Sequence, residues 1–238
     1  MYTNYIFDLY GTLVDIHTNE KSKVLWDKLS LFYSFNGAMY SPDELKISYL
    51  NNVKEKQKSL SHTKYPDFPI ESVFKILYEY KGIVPSDDLV KSTALYFRVL
   101  SIKYLRLYDG VIDLLELLQE KRKNIYLLSN AQRVFTLYEM KVLGIDKYFN
   151  EIYFSSDHYI CKPDAKFFKK LINDLNLDVK KSIMIGNDHI CDIEGANSVG
   201  LNTLYIHSNQ SREIKAPFHS TYKVMSGDVN EISSLIIK

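Results

Sequence analysis

Only two cysteines, Cys161 and Cys191, occur among the 238 residues. They lie too far apart for a Cys-x-x-Cys redox or zinc motif, and two are too few for a disulfide framework in a chain of this length. Both therefore read as reduced thiols of a cytoplasmic protein. No apolar run approaches the ~18 residues of a membrane span. The first apolar stretch contains Asp8 and follows no basic segment, which is not the pattern of a secretory leader. Excess charge of one sign is also missing, with a formal net charge of +1 and a pI near 7.7. The basic residues are scattered and mostly lysine, so no field favours nucleic acid or an anionic membrane. Internal repeats and low-complexity segments are absent as well. These absences leave a soluble protein that neither spans a membrane nor binds nucleic acid. Its oligomeric state is open.

What is present is core-forming material. With 46% hydrophobic and 25% charged residues, the chain can bury a sizeable core, and it is long for one minimal domain, which suits a single domain with a large insertion. The run Tyr5-Ile6-Phe7-Asp8-Leu9-Tyr10-Gly11-Thr12-Leu13 reads as a strand ending in an aspartate and turning at a glycine. In open α/β sheets, ligands collect at the carboxyl ends of strands, and Gly11 lets the backbone bend closely around whatever Asp8 attacks. Ile125–Leu128, Ile152–Phe154 and Ile183–Gly186 are further strands. They are followed by Ser129-Asn130, Lys162-Pro163 and Asn187-Asp188 with Asp192, so four strand ends converge on one candidate site.

Between Asp15 and about Arg106 the apolar spacing becomes helical. Val24, Leu25, Leu29 and Phe32 share one face, Val73, Phe74, Leu77 and Tyr78 a second, and Leu89, Leu95, Tyr96, Val99 and Leu100 a third. Ser41-Pro42-Asp43-Glu44 and Pro85-Ser86-Asp87-Asp88 read as helix starts, and Tyr65-Pro66-Asp67-Phe68-Pro69 as a break. Beyond Asp109-Gly110 the pattern alternates. Helices are expected over Ile112–Leu118, over Arg133–Leu143 with Gly144 as a left-handed cap, and from Pro163 to Leu175 with Pro163 in its first position. A short helix over Asp192–Val199 stopped by Gly200, a strand at Thr203–Ile206, an edge strand near Tyr222–Met225 and a final helix over Val229–Ile237 complete the reading. Alternating strands and helices imply a parallel sheet covered on both faces.

The chemistry these side chains suit is covalent. An ionised aspartate can attack phosphorus or carbon and divide one hard step into two easier ones. A lysine from a neighbouring strand end neutralises nucleophile and substrate, and Ser129 with backbone amides binds the transferring group. Asp8, Asp188 and Asp192 could hold a hard cation such as Mg²⁺. His189 has no second histidine at i+3 or i+4, which points to a helix-surface residue rather than a ligand. His158 shares a loop with Lys162. The aromatics Tyr33, Phe35, Tyr40, Tyr49, Tyr65 and Phe68 of the insertion are explained by core packing.

Taken in order, Asp8-Leu9-Tyr10-Gly11-Thr12, Ser129-Asn130, Lys162-Pro163-Asp164 and Asp188-x-x-x-Asp192-x-x-Gly195-Ala196 resemble the four motifs of the haloacid dehalogenase superfamily. The resemblance implies an α/β fold, a Rossmann-like parallel-sheet core with the first-motif strand in its middle and an inserted α-helical cap domain. The core is expected over residues 1–14 and 107–238 and the cap over 15–106. It also implies Asp8 as nucleophile, Ser129 and Asn130 on the phosphoryl group, Lys162 steadying Asp8 and its intermediate, and Mg²⁺ on Asp8, Asp188 and the Tyr10 carbonyl oxygen. Gly11, Thr12, Asn187 and Asp192 support the site. The expected activity is Mg²⁺-dependent hydrolysis of a small phosphorylated metabolite.

Tyr10 departs from that pattern. Most phosphatases of the superfamily have a second aspartate there as general acid and base, a role whose loss typically costs ~10²–10⁴ in rate. As a catalytic residue in that place, the Tyr10 phenol, with an unperturbed pKa of ~10, could donate a proton but would be a poor base at neutral pH. Tyrosine at this position resembles the 2-haloacid dehalogenases, which displace halide without metal. Against that alternative stand Asp188 and Asp192, and the lack of any arginine between Met1 and Phe97, where those enzymes carry a halide-binding arginine. A catalytically weak phosphate-binding protein is a third reading. A glycine commonly stands just before the fourth-motif aspartate, but here Asn187 occupies that place. Of the two residues Asp188 is expected to face the metal, because an anionic oxygen suits a hard divalent ion better than an amide.

Overall fold

The computed structural model describes residues 1–237. Strand β1 (Asn4–Phe7), buried along its length, leads through a tight loop to β2 (Val14–Thr18). Helices α1 (Lys23–Phe35), α2 (Pro42–Ser59), α3 (Glu71–Glu79) and α4 (Asp87–Ser101) follow, and β3 (Ile102–Leu107) then returns antiparallel to β2. The remainder runs α5 (Val111–Glu120), β4 (Asn124–Ser129), α6 (Arg133–Val142), β5 (Glu151–Phe154), the short α7 (Ser155–His158), α8 (Ala165–Asp174) and β6 (Ser182–Gly186). A π-helical turn at His189–Glu194 passes into α9 (Gly195–Asn197), and β7 (Asn202–Ile206), β8 (Tyr222–Val224) and α10 (Asn230–Ile236) close the chain.

The main sheet has the order β5-β4-β1-β6-β7-β8, every neighbouring pair parallel, with β1 inside it as expected. Side chains alternate across it. Tyr5, Phe7, Ile125, Leu127, Ile183, Ile185, Leu204 and Ile206 pack on one face with α5 and α10, while Ile6, Tyr126, Leu128 and Met184 pack on the other with Phe167, Phe168 and Leu171 of α8. Both faces being covered explains why these strands read as continuous apolar runs. This is a Rossmann-like α/β core.

Helices α1–α4 bury a second, aromatic cluster containing Trp26, Tyr33, Tyr49, Phe74, Tyr78 and Phe97, which Val134 and Phe135 of α6 join from the core. Ser41 and Glu44 form a reciprocal capping box at the start of α2, with Pro42 at the first turn. Ser86 accepts the Leu89 N–H at the start of α4. Of the named aromatics, Tyr33, Tyr40, Tyr49 and Phe68 are buried in this packing and Phe35 is exposed.

Several expectations shift. The span 15–106 is not helical throughout, because its two ends form the β2–β3 ribbon, whose five and six residues are too short for alternation to show. The α4 stripe is rotated by about one position: Val90, Thr93, Ala94 and Phe97 are buried and Val99 is exposed. That helix is apolar on more than one side, and its spacing alone does not choose. Val24 of α1 is likewise exposed and Trp26 buried. Pro163 lies before α8 rather than in its first turn, and Asp164 is the N-cap, accepting the Lys166 N–H.

Phe97 contacts Trp26, Tyr49, Phe74 and Phe135 with ring centroids 5.2–6.3 Å apart. Phe97→Ala is expected to destabilise the protein by ~3–5 kcal/mol, as large-to-small core substitutions at aromatic positions do. Urea unfolding measures this, and a loss under ~1 kcal/mol would show that the cluster does not centre on this ring.

Candidate functional site

Asp8 follows directly on β1, and its N–H continues the ladder to the Ile185 carbonyl at 2.9 Å. The chain then reverses. The Leu9 carbonyl accepts the N–H groups of Thr12, Leu13 and Val14 at 2.8–3.2 Å, and Gly11 takes φ +80°. A Cβ on Gly11 would lie 2.3 Å from the Asn187 amide nitrogen, so both the left-handed backbone and the close approach require glycine. The loop aims Asp8 at the ends of β4 and β6.

Lys162 is 2% exposed, and its Nζ donates to Asp8 Oδ1 and to Asp192 Oδ1, each at 2.7 Å. Burial works against its charge, but Asp192 and Asp8 outweigh it and hold the ammonium above the ordinary lysine range. Burial pushes the Asp192 carboxyl up, against the pull of Lys162 and with the repulsion of Asp8. Ser129 donates to the same Asp8 oxygen at 3.3 Å, and Thr12 reaches Oδ2 at 3.4 Å. The Asn130 side chain is engaged with the backbone of Lys162. Its side-chain oxygen accepts the Lys162 N–H at 2.7 Å and its amide donates to the Lys162 carbonyl at 2.9 Å. It thereby pins the lysine backbone, while still lining the cavity.

The two residues after β6 exchange the positions expected of them. Asn187 lies against Gly11, accepts from the Thr12 hydroxyl at 3.3 Å and donates to Ser208 at 3.4 Å. Asp188 turns away: its Oδ1 accepts the N–H groups of Ile190 and Cys191, both at 2.9 Å, and its Oδ2 meets Arg212. These backbone donors hold its carboxyl below the usual range in spite of burial, with Arg212 adding to the effect. The side chain beside Asp8 and Thr12 is therefore the amide of Asn187, because a free helix start captured the carboxylate. Asp192 also accepts the Asp188 N–H at 2.9 Å, and a Cβ on Gly186 would stand 2.3 Å from its Oδ2.

Tyr10 also differs from expectation. Its hydroxyl is hydrogen-bonded to Glu139 and lies 2.8 Å from the Thr136 hydroxyl, while Arg98 of α4 donates to the far oxygen of Glu139 at 2.5 Å. Burial and the Glu139 charge raise the phenol far above its ordinary value, with Arg98 opposing. The first-motif hydroxyl thus ties the helical insert to α6 and does not face Asp8 as an acid would. Among the described residues no three His, Cys, Asp or Glu side chains are grouped to hold a metal ion.

A cavity of about 260 Å³ is lined by Asp8, Tyr10, Ser129, Asn130, Lys162, Asn187, Asp188 and Asp192. Three further residues line it that sequence reading missed: Cys191, Gln210 and Arg212. The last two come from the polar segment after β7, which carries no motif and no periodicity. Burial, with Asp188 and Asp192 nearby, pushes the Cys191 thiol up to about 12, so it is a neutral wall. His158 stacks on Tyr153, and His189 is buried against Phe218 rather than surface-exposed.

No helix among the described residues is long and apolar enough to cross a membrane. A pyrimidine 5′-nucleotidase, PynA, of Streptococcus pneumoniae is 29% identical over 119 residues, 50% of each chain. A phosphoglycolate phosphatase of Agrobacterium fabrum is 25% identical over 84% of this chain and 78% of its own. The chain spans about half the length of the first of these relatives. Among solved structures, a HAD phosphatase from Thermococcus onnurineus matches with TM-score 0.62 at 18% identity over 100% of this chain and 98% of its own. A 2-haloacid dehalogenase from Pseudomonas syringae pv. Tomato matches with TM-score 0.64 at 17% identity over 98% and 99%. At these identities what the structures share is the fold. The family model described as haloacid dehalogenase-like hydrolase matches residues 2–200. With most of the chain inside that match, on a parallel-sheet core that such structures overlay from end to end, this protein belongs to the haloacid dehalogenase-like hydrolases.

Proposed function

We propose that this hydrolase is a phosphatase of a small phosphorylated metabolite, working in the cytoplasm through an aspartyl-phosphate on Asp8. Residues 1–14 and 107–238 form the catalytic core in this reading, and residues 15–106 form a cap over it. The observation that carries the proposal is the buried Lys162 ammonium, 2.7 Å from both Asp8 and Asp192. It sets positive charge beside Asp8, where a phosphoryl group would arrive. The phosphatase names among the relatives, a phosphoglycolate phosphatase with the longest aligned stretch of those given above, support the same chemistry.

Asp8 Oδ1 is covered by Lys162 and Ser129, whereas among the described residues Oδ2 meets only the Thr12 hydroxyl at 3.4 Å. Oδ2 is the attacking oxygen. A bond forms from it to phosphorus as the ester P–O bond breaks, its electron pair leaving on the alkoxide oxygen, which takes a proton from solvent water. Lys162 and Ser129 stabilise the charge that develops on the transferring group. A water oxygen then bonds to phosphorus as the P–O bond to Asp8 breaks, the electron pair returning to the carboxylate and the water's proton passing to solvent. Asn130 fixes Lys162 through its backbone, and Asp192 balances the ammonium. Tyr10 moves no proton at its hydroxyl, because Glu139 and Thr136 hold it.

The donor set suits Mg²⁺. The Asp8 carboxylate, the Tyr10 carbonyl oxygen and the Asn187 amide oxygen would hold it, all hard oxygens, with one anionic donor because Asp188 is drawn to Arg212. When bound, the ion supplies Lewis-acid polarisation of the phosphoryl oxygens. The neutral Asn187 in this set, together with Tyr10, favours hydrolytic dehalogenation as the second reading. In it, Asp8 forms a carbon ester and releases halide from a 2-halo acid whether or not a chelator is present.

Asp8→Asn is expected to abolish phosphate release while the thermal midpoint stays close to wild type, since Lys162 keeps Asp192 as partner. Retained turnover would remove Asp8 as nucleophile. Tyr10→Phe should lower kcat by less than tenfold, against the ~10²–10⁴ expected for loss of a general acid; a drop in that larger range would return the phenol to the reaction. Phosphate release from a panel of metabolite phosphates should stop on chelation and recover with Mg²⁺. Halide release from 2-chloropropionate that survives chelation would favour the second reading.

A further inference from the structure

Arg212 belongs to none of the four motifs, yet it lines the same cavity as Asp8, Ser129 and Lys162. Its Nε and Nη2 approach a single oxygen, Asp188 Oδ2, at 3.2 and 3.1 Å. A half-exposed ion pair of this kind ordinarily contributes only ~0–1 kcal/mol, and by itself it says nothing about function.

Here the acidic partner is fixed in place and the loop that carries the arginine is tethered. The other oxygen of Asp188 is locked by the Ile190 and Cys191 N–H groups, so the carboxylate cannot follow a mobile guanidinium. The loop carrying Arg212 is held in turn from the β2–β3 ribbon. Asn209 and Gln210 each donate to the buried Asp15 at 3.0 Å, and Gln210 also donates to the Ile16 carbonyl at 3.1 Å. Tyr108 adds a bond to Asn209. Arg212 is thereby positioned at the mouth of the cavity, and among the described residues its Nη1 has no acceptor. The guanidinium keeps one open edge of the planar fork that takes a carboxylate in two parallel hydrogen bonds.

The charges in the cavity show what that edge is for. Lys162 is engaged by Asp8 and Asp192. The ionisable lining besides Arg212 is Asp8, Asp188, Asp192, Lys162, and a phenol and a thiol that burial keeps neutral, Tyr10 and Cys191; its three carboxylates would repel a second anion on the substrate. The space between Arg212 and Asp8 is small, about 260 Å³, and suits a short molecule.

We infer that Arg212 is a specificity-determining residue that binds a carboxylate at the far end of a short phosphomonoester, so that the preferred substrates are small phosphorylated carboxylic acids. This rests on the phosphatase reading of Asp8.

The test is binding to the full chain carrying Asp8→Asn, by titration calorimetry, with 3-phosphoglycerate and glycerol 3-phosphate. The two probes differ only in a carboxylate against a hydroxymethyl group. The carboxylate-bearing ester should bind at least about tenfold more tightly. Adding Arg212→Gln should bring the two affinities within about twofold by weakening 3-phosphoglycerate alone, and Arg212→Lys, a charge without the fork, should fall between. Equal affinities at the start, a preference that survives Arg212→Gln, equal weakening of both esters, or no binding of either would overturn the inference. Wild-type turnover of either ester without an Arg212-dependent preference would leave the phosphatase reading standing and remove the clamp. The preference without any turnover would do the reverse.

Discussion

A lysine ammonium held in the interior between two carboxylates is the constraint from which the rest of this structure follows. Taking such a charge out of water is costly, and a buried ion pair often stabilises a fold no better than well-packed apolar side chains would, whereas removing one partner typically costs ~3–5 kcal/mol. Stability does not explain why Lys162 lies where it does. Its surroundings do: Asn130 clamps its backbone, Asp192 balances its charge, and the strand order brings Asp8 and β6 to either side. The parallel sheet serves to bring three strand ends to one ammonium.

The helical insert is joined to this arrangement at several points. The β2–β3 ribbon links it covalently, Arg98 reaches Glu139 and through it Tyr10, and Phe135 of α6 enters its aromatic cluster. The loop before α3 is also fastened to the core beside Lys162. The Cys161 N–H bonds to the Tyr65 carbonyl at 2.8 Å, and Asp67 accepts from Ser155 and Gln132. Movement of the insert therefore bears directly on the segment that carries the lysine.

Much of the core was legible in the sequence because both faces of the sheet are buried, which leaves near-continuous apolar runs that only strands of this length explain. The turn at Gly11 was legible for the same kind of local reason, since an aspartate followed by a glycine at a strand end has few uses. What could not be read depended on competition between groups distant in sequence. Asn187 and Asp188 are neighbours, and only the free N–H groups of the following turn, with Arg212, decide that the amide rather than the carboxylate faces Thr12. Tyr10 looked like a modified acid until Glu139 and Thr136, far along the chain, claimed its hydroxyl. Gln210 and Arg212 gave no signal at all, because their loop is tethered through Asn209 and Gln210 to Asp15, a residue nearly two hundred positions earlier in the chain.

Gly186 shows how little slack this arrangement has. The Asp192 carboxylate occupies the volume where a side chain on that residue would begin, so the last residue of β6 is at once part of the sheet and part of the wall around the charge. Even a methyl group there would push away the counter-ion of the buried ammonium. A substitution that looks purely steric would act on the electrostatics of the site, and the protein would register it first as altered chemistry at Asp8.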